Sequence, residues 1–370
     1  MILTAGPSIT QKEINYVTDA VTNGIDEHWN DYIKRFEKAF AEYIGVKYAL
    51  TTSSCTGALH LALVACGIKE GDEVIVPDLS WIASASVICY TGGKPVFADV
   101  KPDSWCISPQ VLESRITNKT KAIIPVHLYG QPAEMDMIML IAEKYGLKVI
   151  EDAAPSVGAT FQGKHTGSFG DIGCFSFQGA KMVATGEGGM LVTDDSELFE
   201  RVNHFAEHGR SAYPSFEISD IGYKYKMSNL QAALGLAQLE RVDELIAKKK
   251  LIFDWYCEEL KHTEGISLNR CNVPFEESIY WMTSIVLNED YDFGISRDGL
   301  MKKLKEKNID TRPFFPLMST FPMFNNVKYN HPVAEHLSEN GINLPSGHRI
   351  THEQVIYVCD CIKEILWEYE

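Results

Sequence analysis

The sequence predicts an α/β protein: a mainly parallel sheet covered by helices, followed by a smaller C-terminal α+β domain. Three observations predict it. Between residues 47 and 193, short apolar runs alternate with helical segments. Those runs are almost continuously apolar, as strands buried on both faces must be. Beyond Gly265 the regular alternation stops. A chain of 370 residues has room for one large and one smaller unit, expected at 1–250 and 251–370.

Residues 9–22 and 30–44 carry apolar positions at helical spacing and read as two amphipathic helices. Their connector, Asn23-Gly24-Ile25-Asp26-Glu27-His28-Trp29, is polar with one aromatic, and is either a plain loop or a ligand contact. Tyr48–Thr52 reads as a strand and 56–66 as an apolar helix ended by Gly67. Strands follow at Glu73–Pro77, 95–99, 121–126 and 147–151, with helices near 81–91, 109–117 and 134–145. Ligands bind outside the carboxyl ends of such strands. Chemistry is therefore expected at Thr52, Pro77, His127 and Asp152. Residues 175–177 and Gly189–Thr193 read as strands flanking a small-residue loop. A helix near 196–207 and a loop at 210–226 lead to Ser228, a suitable N-cap for a long helix to about residue 260. Further on, 279–287 reads as a strand and Ser296 as the cap of a charged helix to about Asn308. Residues 311–316 read as a loop and 353–369 as a final amphipathic helix.

The formal net charge of -16 argues against a general nucleic-acid binder, whose footprint would be basic. No apolar run is long enough to span a membrane, and the N-terminus lacks the basic-then-apolar pattern of a signal peptide. The 9 cysteines form no zinc-type C-x2-C pairing, so no metal is expected. Their odd number and scatter fit a reducing cytoplasm.

The chemistry gathers around Lys181, in the loop between Phe175-Ser176-Phe177 and Gly186-Glu187-Gly188-Gly189. Lysine is a nucleophile only after losing a proton, which burial or a neighbouring cation favours. Alone, Lys181 reads more plainly as a surface-loop lysine. Asp152, at the end of an apolar strand, changes that reading, because a buried carboxylate needs a cation or a proton donor. An amine that forms a Schiff base and a carboxylate for a pyridinium nitrogen are the two protein groups pyridoxal phosphate needs most. Asp152 otherwise caps the turn at Ala153. The turn Thr52-Ser53-Ser54-Cys55-Thr56-Gly57-Ala58 opens a helix, whose N-terminus suits a phosphate, although an ordinary N-cap reads as plainly. Trp81 either stacks on a cofactor ring or packs in the core. Ser176 is placed to bond a phosphate. His127 orients Asp152, contacts substrate, or is a satisfied strand-end histidine.

With these residues in this order the chain resembles the DegT/DnrJ/EryC1/StrS sugar aminotransferases, pyridoxal-phosphate enzymes of fold type I. The resemblance rests on Glu151-Asp152-Ala153-Ala154, Gly170-Asp171 with Phe175-Ser176-Phe177, and Lys181 followed by Thr185-Gly186-Glu187-Gly188-Gly189. Gly71-Asp72-Glu73, Pro125-Val126-His127-Leu128-Tyr129-Gly130, Tyr225-Lys226-Met227-Ser228-Asn229 and Gly341-Ile342-Asn343-Leu344-Pro345-Ser346 extend it over nearly the whole chain. It implies that Lys181 is the Schiff-base lysine and moves the proton, that Asp152 pairs with the pyridine nitrogen, and that Trp81 stacks on the ring. It also implies that Ser54, Thr56 and Ser176, beside Cys55, bind the phosphate with Asn229 of the partner subunit, in a homodimer with shared sites.

The implied reaction moves an amino group from glutamate, leaving 2-oxoglutarate, to a phosphorylated keto-carbohydrate. The chain looks most similar to family members that aminate GDP-4-keto-6-deoxymannose, which points to a nucleotide-linked 4-keto-6-deoxy sugar in surface polysaccharide biosynthesis. One departure concerns the acceptor. Where relatives commonly carry Trp/Phe-x-Ser-Ser-x-Gly, this chain has Asp26, Glu27 and Asp31 around His28 and Trp29, and acids repel a diphosphate. A small phosphorylated ketone such as dihydroxyacetone phosphate therefore stays open, with Arg210, Arg312, His348 or Arg349 as its cation. The sugar dehydratases of the family replace the lysine by histidine, so Lys181 argues against that reaction. A non-catalytic protein that binds pyridoxal phosphate would keep the pocket without turnover.

Overall fold

The computed structural model describes residues 1–210, 217–269, 275–324 and 329–367. The chain opens with α1 (Gln11–Asn23) and α2 (Asp31–Ile44). Then β1 (Tyr48–Thr52), α3 (Cys55–Ala65), β2 (Glu73–Pro77), α4 (Ala83–Tyr90), β3 (Lys94–Ala98), α5 (Pro109–Ser114), β4 (Thr120–Ile123), α6 (Met135–Tyr145) and β5 (Lys148–Asp152) alternate as the apolar pattern predicts. A short hairpin, β6 (Thr160–Phe161) and β7 (Lys164–His165), precedes β8 (Ile172–Ser176), β9 (Gly189–Thr193) and α7 (Ser196–Ala206). Successive strand side chains point to opposite faces. Accordingly Ile75, Ile123 and Val149 enter one core, while Val74, Val76, Ala122 and Ile150 enter another.

The sheet has 7 strands in the order β1-β9-β8-β5-β4-β2-β3. Only β9 runs against its neighbours, pairing antiparallel with both β1 and β8. Its first residue, Gly189, therefore lies opposite Thr52 on one side and Ser176 on the other. The strand expected from 175 begins at Ile172, and the one expected to reach 126 ends at Ile123. Trp81 precedes α4 instead of opening it.

The helix expected from Ser228 to about 260 is two helices, α8 (Asn229–Leu239) and α9 (Val242–Leu260). The break falls at Glu240–Arg241, where the Arg241 guanidinium reaches back to Glu13 (2.5 Å) and to Ser8 Oγ (3.0 Å). Along α9 the packing partner changes. Leu245 belongs to the core of the large sheet, whereas Ile252, Tyr256 and Leu260 pack with the C-terminal elements. The boundary expected at 250 is thus a change of partner within an unbroken helix.

After α9 come β10 (Ile266–Leu268), β11 (Glu276–Glu277), β12 (Ser284–Leu287), α10 (Arg297–Glu306), β13 (Arg312–Pro313), α11 (Pro332–Asn340), β14 (Gly341–Asn343) and α12 (His352–Trp367). Strands β10-β12-β14-β13 form an antiparallel sheet, and β11 adds to the β6–β7 hairpin. Of the strand expected over 279–287 only β12 forms, because Ile279 N–H and Ser278 Oγ bond the carbonyl of Gly130 and Tyr280 takes a positive φ of 47°. The N-terminus also crosses over: Ile2 pairs with Ile309, and Thr4 Oγ donates to Asp310 (2.6 Å). Residues 2–4 therefore belong with the C-terminal sheet, not with the large unit. Cys271, Ser211 and the expected end of the last helix at 368–369 lie outside the described residues. Among the described residues, no helix is long and apolar enough to cross a membrane.

Glu13 is fully buried at the α1–α8 contact. Burial alone would raise its carboxyl, but hydrogen bonds from Thr10 and Arg241 outweigh it and hold the group at about 2, below its ordinary 4.5. A depressed carboxylate contributes stability above its unfolded pKa and loses it as pH falls through the folded one. Unfolding followed by circular dichroism should therefore lose stability between pH 4.5 and about 2. Glu13→Gln should cost ~3 kcal/mol at neutral pH and flatten that acid limb.

Candidate active site

Lys181 stands in the loop between β8 and β9. Phe177 N–H donates to Gly188 O (2.9 Å), Thr185 N–H to Phe177 O (2.7 Å), and Thr185 Oγ1 to Glu187 O (2.7 Å). Gly188, at φ 155°, closes the loop where a Cβ would lie 2.6 Å from Thr185 Oγ1. The Lys181 Nζ rests 3.6 Å from the ring centroid of Trp281. Burial pushes this amine down to about 8, against the pull of Asp152 and Cys55. Lys181 is thus a half-buried residue, its amine basic enough to take a proton and acidic enough to lose one. Trp281 escaped sequence reasoning because it lies in a run that read as strand.

Asp152 ends β5 and is buried. Its Oδ2 accepts from Ser84 Oγ (2.6 Å) and its Oδ1 from Ala154 N–H (3.2 Å). Burial raises this carboxyl, while those two donors and Lys181 pull it down. No ion pair reaches it among the described residues. The adjacent Glu151 points to the other face and is saturated: Gly167, Phe169 and Gly170 donate their N–H groups (2.7 Å each), and His127 lies 3.0 Å away. Because Ala133 N–H donates to His127 Nδ1, the proton of His127 is on Nε2 and goes to Glu151. His127 is the satisfied strand-end histidine, and Ser84 is the residue that orients Asp152.

Ser54 caps α3, accepting from Gly57 N–H (3.1 Å). The first-turn N–H groups of Cys55 and Thr56 have no intrahelical acceptor. Gly189 packs so close to them that a Cβ there would lie 2.6 Å from Cys55 N. Ser176, buried, sits across from Gly189. Tyr225 roofs this turn, its carbonyl accepting from Ser53 N–H (2.6 Å) and its ring standing 3.1 Å from a Cβ at Gly57. On the other side Trp81 is 62% exposed, so its face is open. It leans on Phe315 (5.8 Å between centroids), and its carbonyl accepts from Ser84 Oγ (3.3 Å).

This edge has a half-buried lysine, a buried carboxylate without an ion pair, a helix start ringed by hydroxyls, and an open aromatic face. The donor set fits pyridoxal phosphate. A model of the DegT/DnrJ/EryC1/StrS aminotransferase family matches residues 7–363. The chain belongs to this family. It is a pyridoxal-phosphate-dependent aminotransferase. It is 44% identical to a GDP-perosamine synthase of Escherichia coli O157:H7, covering 97% of this chain and 96% of the relative. A GDP-perosamine synthase of Vibrio cholerae is 39% identical, with 98% of each chain covered. Among solved structures, Spr1654 from Streptococcus pneumoniae in its PLP-form superposes with a TM-score of 0.92 at 27% identity, over 99% of this chain and 98% of that one.

Other residues expected in the aminotransferase site fall differently. The Asn229 amide is engaged within its own chain: Nδ2 donates to Gly24 O (3.1 Å) and His28 O (3.5 Å), and Oδ1 accepts from Tyr32 N–H (3.0 Å). It pins the 24–32 loop of its own chain. On that loop Trp29 is exposed and His28 bonds Asp31 (2.8 Å), which raises the imidazole pKa. Arg312 faces solvent 3.4 Å from Asp310, and Arg210 lies 3.8 Å from Glu207. His348 is a correction. It is buried, its Nδ1 donates to Gly6 O (3.4 Å), and burial pushes it down to about 4, so it is neutral and supplies no cation. Among the described residues no group of His, Cys, Asp and Glu could hold a metal ion.

Lys181→Ala should abolish the absorbance near ~420 nm that a lysine-anchored cofactor gives. Asp152→Ala should slow amino transfer by about 10²–10³-fold, as losing one preorganised charge does. Ser84→Ala should cost about tenfold, since it removes one hydrogen bond to that charge. Single-turnover absorbance with glutamate measures all three.

Proposed function

We propose that this enzyme moves an amino group from glutamate to a phosphorylated keto-carbohydrate, a nucleotide-linked 4-keto-6-deoxy sugar of surface polysaccharide biosynthesis. The observation that carries the transfer is the half-buried Lys181 amine, held against the Trp281 ring, on the same sheet edge as the buried Asp152 carboxylate. The relatives named GDP-perosamine synthase support the acceptor. When bound, pyridoxal phosphate supplies the electron sink. Asp152 holds a proton on the ring nitrogen, oriented by Ser84. Ser54, Thr56 and Ser176 hold the phosphate beside Cys55, and Trp81 offers its face to the ring. Lys181 anchors the cofactor and, once free, carries the proton.

Two contacts favour a nucleotide sugar over a small phosphoketone. His28 partly neutralises the acids of the 26–31 loop through Asp31, which weakens their repulsion of a diphosphate. Of the four cations a small phosphoketone would call upon, Arg312 and Arg210 have carboxylate neighbours and His348 is neutral, which leaves the exposed Arg349. We also infer a homodimer, because Ile25, Trp29 and Leu230 expose apolar surface around the Asn229 contact.

The test loads the enzyme with pyridoxamine phosphate and offers GDP-, UDP- and dTDP-linked 4-keto-6-deoxy sugars beside dihydroxyacetone phosphate. The GDP-linked sugar should restore the ~420 nm band, with glutamate then giving 2-oxoglutarate. Turnover of dihydroxyacetone phosphate alone would overturn the sugar-nucleotide reading and leave the aminotransferase intact.

A further inference from the structure

Each cycle of amino transfer frees the Lys181 amine and must take it back. Between release and return the free ammonium needs a resting place within reach of the reacting centre. We propose that the indole face of Trp281 is the seat of the free Lys181 ammonium, and that the buried Lys249 is a positioning residue that holds that indole.

The seat is built from four contacts. The Lys181 Nζ lies 3.6 Å from the Trp281 centroid, and the indole is buried, so water does not compete for the ring face. A desolvated indole is the strongest aromatic partner for a cation. The ring is tied to the lysine loop itself, because Trp281 Nε1–H donates to the carbonyl of Ala180 (2.7 Å), the residue before Lys181. Behind the ring, the Trp281 carbonyl accepts from Lys249 Nζ (2.8 Å), which also donates to Ser346 O (2.5 Å).

Lys249 is the unusual member. It is only 3% exposed and forms no ion pair with a carboxylate among the described residues. A buried amine costs folding energy unless its hydrogens are satisfied. Here it fastens α9 to the 279–283 segment and to the 344–348 segment. His348 is the titratable group that faces it, and burial keeps that imidazole neutral. Burial also pushes Lys249 down to about 7. A neutral amine still has two N–H donors for the two carbonyls, so the clasp does not depend on its charge.

The sign of the effect follows from the ring. Burial lowers the basicity of Lys181, while Asp152, Cys55 and the indole face favour the ammonium. Removing the ring contact should leave Lys181 a weaker base. Lys181 would then be deprotonated at a lower pH than in the wild type.

The experiment uses full-length protein freed of cofactor. Limiting acylation from about pH 6 to 10 brackets the amine titration, and the Lys181 peptide is quantified by mass spectrometry against surface lysines. Because the chain has 6 Trp, fluorinated tryptophan is placed at position 281 alone by codon suppression. Fluorine withdraws charge from the ring face and leaves its shape. The Lys181 midpoint should fall stepwise with fluorination, by about one pH unit, a tenfold change in free amine. Trp281→Leu should shift it as far, and Lys249→Met should shift it part of the way with the indole displaced. An unchanged midpoint on fluorination, in protein with wild-type circular dichroism, would overturn the seat. An unchanged midpoint in folded Lys249→Met would overturn the positioning role. No acceptor substrate enters the assay, so its outcome is independent of the sugar assignment.

Discussion

Gly189 stands between Thr52 and Ser176 at the carboxyl edge of the large sheet, and the rest of the site is registered to it. Reversal of β9 alone brings its first residue to the edge where β1, β8 and β5 end. The backbone there passes so close to the α3 start that a Cβ on Gly189 would lie 2.6 Å from Cys55 N, which only glycine permits. That approach sets the α3 start, with Ser54 and Thr56, beside Ser176. One pairing thus places the phosphate end of the site, and the loop it closes carries Lys181.

The electrostatics follow from strand alternation. Glu151 and Asp152 are neighbours on β5, yet they serve opposite ends. The first is saturated by three backbone donors and His127, and it holds the 167–170 turn to the sheet. The second receives Ser84 and one backbone N–H and is otherwise left for a positively charged donor. A buried carboxylate in that condition is costly in the cofactor-free chain and favourable once a protonated ring nitrogen arrives. Part of the cofactor's affinity is therefore stored as an unsatisfied charge.

The smaller C-terminal sheet takes part through the irregular segment that leads into β12. Ser278 and Ile279 fasten to Gly130, and Trp281 fastens to Ala180. The Lys181 loop is thereby held between β9 and the Trp281 indole, which packs in the core of the large sheet. Lys249, on the helix whose packing partner changes midway, ties Trp281 to Ser346.

The alternation of apolar runs between residues 47 and 193 determined the α/β architecture, because strand and helix periods are local properties of the chain. Lys181, Asp152 and Ser54 were legible for a similar reason: Asp152 and Ser54 stand at the ends of elements that the pattern defines, and Lys181 stands in the loop between two of them. Trp281, Ser84 and Lys249 were not. Their meaning comes from contacts across the chain, and Trp281 lay within an apolar run whose period suggests only a strand. His348 looked like a ligand contact by type. Burial decided otherwise, holding its imidazole neutral. The break at Arg241 was equally invisible, since no glycine or proline marks it. The sequence by itself determined which groups the chemistry needs and which elements carry them. Only the tertiary structure decided which of those groups are free to act, because desolvation and hydrogen-bond satisfaction depend on residues distant in the chain.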